Sequence, residues 1–307
     1  SKVDLKPGSA TRAASAAVLS LLGEKVGNMI VASADLSNSD KTDGYLKKTK
    51  ALAKGDFSGT FLQMGVSEFT MACIMNGLAL HGGVIPAGGT FFVFSDYMKP
   101  AVRLAALMRL PVKYVWTHDS FRVGEDGPTH QPVEHEAQIR LMEHLRNHHG
   151  ERSVVVLRPG DAHETLEAWK YAMSSERPVA LILSRQDIAE LPTVKADRAK
   201  EAAQLEKGAY VVIEGGAKPD VVMVASGSEV STLVEGAKLL EKEGIKARVV
   251  SAPSEGLFRD QDEKYQQSVL PVGIPRYGLT SGLPLTLLGL VGTDGTVHGL
   301  DHFGYSA

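Results

Sequence analysis

A single cysteine, Cys73, among 307 residues leaves no basis for an intramolecular disulfide framework or a cysteine-built metal cluster. That scarcity suits a reducing compartment and points to the cytoplasm. No run of about 18 uncharged apolar residues occurs, so no transmembrane helix is expected. Residues 1–8 hold no apolar signal region. Neither sign of charge dominates: 33 Lys and Arg against 36 Asp and Glu give a net charge of -3, so neither nucleic acid nor an acidic membrane is expected as a partner. There is no Walker loop, no Gly-x-Gly-x-x-Gly after a strand and no Gly-x-Ser-x-Gly elbow. The initiator Met is missing too, which marks a processed start or a piece of a longer chain.

The apolar share is 43% and the charged share 22%, the balance of a soluble globular protein with enough chain for two domains. Apolar periodicity predicts helices over 11–22, 65–81, 100–110, 134–148 and 162–174. Short apolar runs predict strands over 29–32, 112–116, 153–157 and 179–183, while 91–94 reads as a strand or as the start of the next helix. The Lys-rich stretch 41–57 reads as a surface loop, and 186–207, poor in apolar residues, as a linker. A second unit then opens with strands 210–213, 221–225 and 247–251 around a helix 229–243. Strands and helices alternate and the strands are continuously apolar. Both units are therefore expected to be α/β domains built on parallel sheets, over 1–190 and 208–307, with 191–207 between them.

Three segments could carry chemistry. The helix 65–81 is apolar on nearly every side, and Glu68 sits in it. A carboxylate there is either stabilised by the helix N-terminus or kept in an apolar pocket to share a proton with a ligand nitrogen. The segment 117–132 follows a strand and gathers His118, Asp119, Arg122, Glu125, Asp126 and His130. It is either a solvated polar loop or a site at the carboxyl end of a parallel sheet. Phe91, Phe92, Phe94 and Tyr97 cluster in a chain that is only 6% aromatic, either as core or as a box for a planar heterocycle. His144 with His148, and His298 with Asp301 and His302, have helical spacing, which on a surface is more often accidental than metal-binding.

Taken together these segments resemble transketolase. The similarity is carried by Gly65-Val66-Ser67-Glu68, by Gly88-Gly89-Thr90-Phe91 and above all by Gly124-Glu125-Asp126-Gly127-Pro128-Thr129-His130-Gln131-Pro132. Ser184-Arg185-Gln186 and the run 224–230 are similar to the end of the family's pyrimidine-binding domain and the start of its C-terminal domain. The resemblance implies thiamine diphosphate as cofactor, with Glu68 holding its aminopyrimidine nitrogen in the imino form that deprotonates the thiazolium ring. It implies a cofactor pocket of Asp35, Glu68, Phe91, Phe94 and Tyr97. Catalysis would fall to Glu68 and His130, with Asp126 reading a donor hydroxyl. Arg12, Ser39, His118 and Arg185 would hold a sugar phosphate.

The family's Gly-Asp-Gly start with a downstream Asn, which holds the diphosphate and its Mg2+ or Ca2+, is absent: Gly160-Asp161-Ala162 is the nearest match, and no Asn follows Asn147. No residue of this chain is therefore assigned to the metal. The resemblance implies a transketolase component that needs a separate diphosphate-binding subunit or segment. It would pair through its first domain as a homodimer or heterotetramer, and would be inactive alone. A non-catalytic partner subunit and a β-type subunit of a 2-oxo acid dehydrogenase are the alternatives. Three departures stand out. Ser67-Glu68-Phe69 replaces a common Arg-Glu-His, Phe121-Arg122 replaces a smaller pair, and Asn38-Ser39-Asp40 replaces Pro-Ser-Asn. The chain also stops a little before the family's usual end.

Overall fold

Continuously apolar strands must be covered on both faces, and crossover helices do this in a parallel sheet. In the computed structural model, which describes residues 3–195 and 197–305, the first unit is built this way. Its elements run α1 (Thr11–Lys25), β1 (Met29–Ser33), α2 (Ser37–Asp40), α3 (Asp43–Leu46), β2 (Phe61–Gln63), α4 (Glu68–His81) and β3 (Ile85–Phe91). They continue through α5 (Ser95–Leu107), β4 (Lys113–Thr117), α6 (His135–His144), β5 (Val155–Leu157), α7 (Ala162–Ser174) and β6 (Val179–Leu183). The sheet order is β2-β1-β3-β4-β6-β5 and every pairing is parallel. Met71, Met75, Met98 and Trp116 pack one face, and Leu19, Tyr45, Trp169 and Leu181 the other.

The second unit follows α8 (Arg198–Ala202). Its elements are β7 (Tyr210–Ile213), β8 (Val221–Ala225), α9 (Glu229–Lys242), β9 (Ala247–Ser251), α10 (Glu255–Arg259), α11 (Glu263–Val269), β10 (Arg276–Leu279), α12 (Leu285–Val291) and β11 (Thr296–His298). The sheet order is β11-β10-β8-β9-β7. Here the expectation of parallel strands needs one amendment, because β7 pairs antiparallel with β9. β7 lies at the sheet edge and is joined to β8 only by residues 214–220, too short a link for the crossover that parallel strands need.

Other expectations shift locally. The stretch 41–57 is not a plain surface loop. It contains α3, and Tyr45 is buried with its hydroxyl donating to Met29 O at 2.6 Å. The helix expected over 65–81 starts at Glu68, and the one over 100–110 starts five residues earlier, leaving Pro100 inside α5. Phe91 ends β3, and Phe92–Phe94 form a 3-10 turn. The helix expected over 134–148 ends at His144, beyond which Arg146 and Arg152 form an antiparallel bridge. Within 191–207, Leu191, Ala202 and Leu205 are buried, and the Arg198 guanidinium donates to Asp161 and Glu164 next to the start of α7.

Candidate active site at the carboxyl edge of the first sheet

The chain runs from β1 outward to β2, then returns to β3 on the other side, so the strand order reverses beside β1. Ligands in open parallel sheets bind at such a point, outside the carboxyl ends of the strands. Asp35 and Ser39 follow β1, Glu68 follows β2, Phe91 ends β3 and Phe94 lies in the turn after it, His118 follows β4 and Arg185 follows β6. The predicted residues thus share one edge of one sheet.

Four of them, Arg12, Ser39, His118 and Arg185, gather into one group around two guanidiniums. Thr11 and Ser184 stitch the start of α1 to the end of β6: Ser184 Oγ accepts from Thr11 N at 3.0 Å, and Thr11 Oγ1 from Ser184 N at 2.7 Å. This carries Arg12 to the side of Arg185. Arg12 Nη1 donates to Ser39 O at 2.7 Å and lies 3.4 Å from His118 Nε2. Ser39 therefore takes part through its carbonyl. Burial and the neighbouring Arg185 lower the Arg12 pKa, while Asp187 and Asp40 oppose them. Gly124, at φ 89°, lets the 117–132 loop cross Arg185. A Cβ there would lie 3.2 Å from Arg185 Nη2.

His118 is buried at φ 61°, a left-handed conformation that a non-glycine residue keeps only when its surroundings hold it. Burial, then Arg12, Arg185 and His130, push its pKa down to about 3, so the ring is neutral. Arg12 has only donors, so Nε2 accepts. The hydrogen-bond network therefore assigns the ring proton to Nδ1, which faces Thr117 Oγ1 at 2.9 Å.

The aromatic residues stack beside this group. Phe91 and His118 have ring centroids 3.6 Å apart, Phe91 and Phe94 5.9 Å, and Phe94 and Tyr97 6.1 Å. His130 meets Phe94 edge-on at 5.2 Å, and its Nδ1 lies 2.8 Å from Thr129 Oγ1. Phe92 instead turns into the core against Trp116. Glu68, Asp35 and Asp126 share the edge, but their side chains make no hydrogen bond to another described residue. Glu68 is 7% exposed, a buried carboxylate at the first turn of α4 without a protein partner among the described residues. Asp35 is exposed at φ 63°, and Asp126 is exposed on the loop.

Sequence reasoning assigned no individual role to several residues around this site. Asp40 is 1% exposed behind Ser39 and accepts from Ser33 Oγ, Thr42 N and Thr42 Oγ1. Asp119, next to His118, is bound by Arg158. The available signal for Arg158 was a charged residue directly after an apolar strand. One group of described residues, Asp96, Glu134 and His135, brings three possible metal-ligand atoms within 4.8 Å, but Lys99 already pairs with Asp96. The His144/His148 and His298/His302 sets form no such group among the described residues.

The comparisons agree with this architecture. The transketolase pyrimidine-binding-domain family matches residues 8–190, and the transketolase-like C-terminal-domain family matches 208–307. The transketolase of Halalkalibacterium halodurans is 46% identical over 97% of the chain and that of Bacillus subtilis 45% over 97%, in each case across 43% of the relative. The chain thus spans less than half the length of these relatives. Among solved structures, transketolase from Leishmania mexicana superposes with a TM-score of 0.86 at 38% identity, covering 98% of this chain and 42% of that one. A protein described as a split-gene transketolase, inactive beta4 tetramer, superposes at 0.69 with 27% identity, covering 96% of this chain and 90% of that one. On the strength of both domain matches and of relatives above 40% identity along nearly all of its length, this chain belongs to the transketolase family.

Proposed function

We propose that this chain supplies the pyrimidine-binding and C-terminal domains of a transketolase, which moves a two-carbon ketol unit from a ketose phosphate to an aldose phosphate. The observation that carries the proposal is the convergence of Arg12, Arg185, His118 and the Ser39 carbonyl beside a three-ring aromatic stack. Two guanidiniums that raise each other's energy gain from a dianion placed between them, and a phosphate is the dianion that fits their forked donors.

The residues also suit thiamine diphosphate. The unpartnered carboxyl of Glu68, a residue only 7% exposed, offers a hydrogen-bonding site for a ring nitrogen, and Phe91, Phe94 and Tyr97 offer flat apolar faces for an aminopyrimidine. When bound, that cofactor supplies a carbon nucleophile which the side chains here do not possess. Asp126 is exposed and His130 half-buried on the loop above, and these two would accept and donate protons at substrate hydroxyls. The diphosphate and a divalent cation do not fit any described group here, so their ligands are assigned to a diphosphate-binding partner subunit or segment. The split-gene relative, which spans nearly the same two domains, supports that division.

Arg185→Ala tests the reading. In the active assembly it should raise KM for phosphorylated substrates roughly ten- to a hundredfold, the cost of a lost charge-assisted bond, and raise it much less for unphosphorylated analogues. Equal losses on both would place the phosphate elsewhere.

A further inference from the structure

Arg158 is the most heavily engaged side chain among the described residues and has no part in the site as described. It stands directly after β5, 1% exposed. Toward the first domain, its Nη2 donates to Asp119 Oδ2 at 2.7 Å, its Nε to the same oxygen at 3.2 Å, and its Nη1 to Glu136 Oε2 at 3.3 Å. Toward the second domain, Nη1 lies 2.6 Å from Glu229 Oε2 and donates to Ser226 O at 3.3 Å, while Nη2 donates to Ser281 Oγ at 3.1 Å. Its backbone is fastened there as well: Arg158 N donates to Pro253 O, and Gly227 N to Arg158 O.

The second domain has been shaped to admit this guanidinium. Gly227 has φ 60°, and a Cβ on it would lie 2.7 Å from Arg158 Nε. One cation faces three carboxylates, Asp119, Glu136 and Glu229, while Arg140 shares Glu136. Burial, opposed by Arg158, raises the Glu229 pKa. Removing one partner of such a group leaves an uncompensated buried charge.

The bond to Asp119 reaches the site in one step. Asp119 is the residue after His118, and its Oδ1 has no hydrogen-bond partner among the described residues, so Arg158 is its anchor. His118 keeps its left-handed backbone between the sheet and that anchor, and its ring in turn orients Arg12. We infer that Arg158 is a positioning residue through which the C-terminal domain sets the phosphate affinity of the first domain. The inference rests on the phosphate reading of Arg12, Arg185 and His118.

Its test uses Asp119→Asn, which removes the charge pair but keeps the shape, and Gly227→Ala, which displaces Arg158 from the other domain at a distance from the substrate. In the holoenzyme the quantity read is KM for ribose 5-phosphate divided by KM for ribose, relative to the unaltered protein. Each variant should raise it about tenfold. The double variant should raise it no further than Asp119→Asn alone, because both act through one side chain. In the chain by itself, the 15N shifts of the His118 ring should leave the Nδ1-protonated pattern in both variants. Should Gly227→Ala fail to fold, Glu229→Gln and Ser281→Ala replace it. Arg185→Ala is the control. If it shifts the ratio while the Asp119 and Gly227 variants do not, or do so additively, the positioning inference is overturned alone. An unmoved ratio in Arg185→Ala overturns the phosphate reading, and the inference with it.

Discussion

Asp40 and His118 both flank Arg12, and burial moves their titrations toward each other. Asp40 is pushed up to about 6, and His118 down to about 3. Between pH 3.8 and 6 the folded chain keeps a proton on Asp40 that the unfolded chain has lost, so this group makes stability fall as pH rises. Between pH 3 and 6.5 the unfolded chain carries a proton on His118 that the folded chain refuses, so that group makes stability rise with pH. In their shared window the two contributions cancel. Asp40→Asn removes one of them. The amide still accepts from Thr42 and can donate to Ser33, so the loop keeps its shape. Melts at a series of pH values should show the variant gaining about 1.4 kcal/mol per pH unit over the unaltered chain between about pH 4.5 and 6. Above pH 6.5 it should be the more stable by up to about 3 kcal/mol. Parallel pH profiles for the two proteins would refute this. Glu68 was legible in the sequence because it sits in an apolar helix, and His118 and Arg185 because they lie in the two segments, 117–132 and Ser184-Arg185-Gln186, that carry the family resemblance. Asp40 and Arg158 were not: their neighbours Ser33, Thr42, Asp119 and Glu229 make them what they are, and only the fold assembles these.

At the scale of elements, strands dense in Val, Ile and Leu were visible from the sequence and β3 was not. Its interior carries Pro86, Gly88 and Gly89, which weaken any strand signal. The glycines are there for close approach: a Cβ on Gly88 would lie 2.4 Å from Met75 Sδ of α4, and one on Gly89 2.9 Å from Asp40 Oδ2. β2 and β11 are three residues each, too short to show a period. α4 shows the opposite case, a strong pattern whose meaning the structure sharpens. Met71, Ala72 and Met75 are buried against the sheet and α5. Phe69, Ile74 and Leu80 stay exposed, as does Val66 before the helix. The chain's own sheet therefore covers one face only, and an apolar helix left open on the other invites a partner. If a second copy covers it, Phe69→Glu should shift a micromolar sample toward monomer in sedimentation velocity with little change in melting temperature. A chain already monomeric before substitution would remove the basis for this.

On the proposed reading the whole molecule is an arrangement of half-sites. The carboxyl edge of the first sheet offers Arg12 and Arg185 beside His118, an aromatic stack and the unpartnered Glu68, while the second domain braces that edge through Arg158. Among the described residues the one group of possible cation ligands, Asp96, Glu134 and His135, already has Lys99 paired with Asp96, and the sequence lacks the Gly-Asp-Gly start with its downstream Asn. The chain by itself should therefore hold thiamine diphosphate weakly and show no ketol transfer, because only the pyrimidine end finds contacts. Addition of a diphosphate-binding half should restore tight cofactor binding and turnover together. Glu68→Gln separates assembly from chemistry in that experiment. The amide keeps the size of the side chain and leaves the cofactor's diphosphate contacts in place, so the mixed complex should still form and still retain cofactor in gel filtration. Its NH2 can donate a hydrogen bond to the ring nitrogen but can neither release nor take up a proton there, so turnover should fall by orders of magnitude. Robust turnover by the purified chain alone would overturn the half-site reading, and near-normal turnover in the Gln variant would take the proton-sharing role from Glu68.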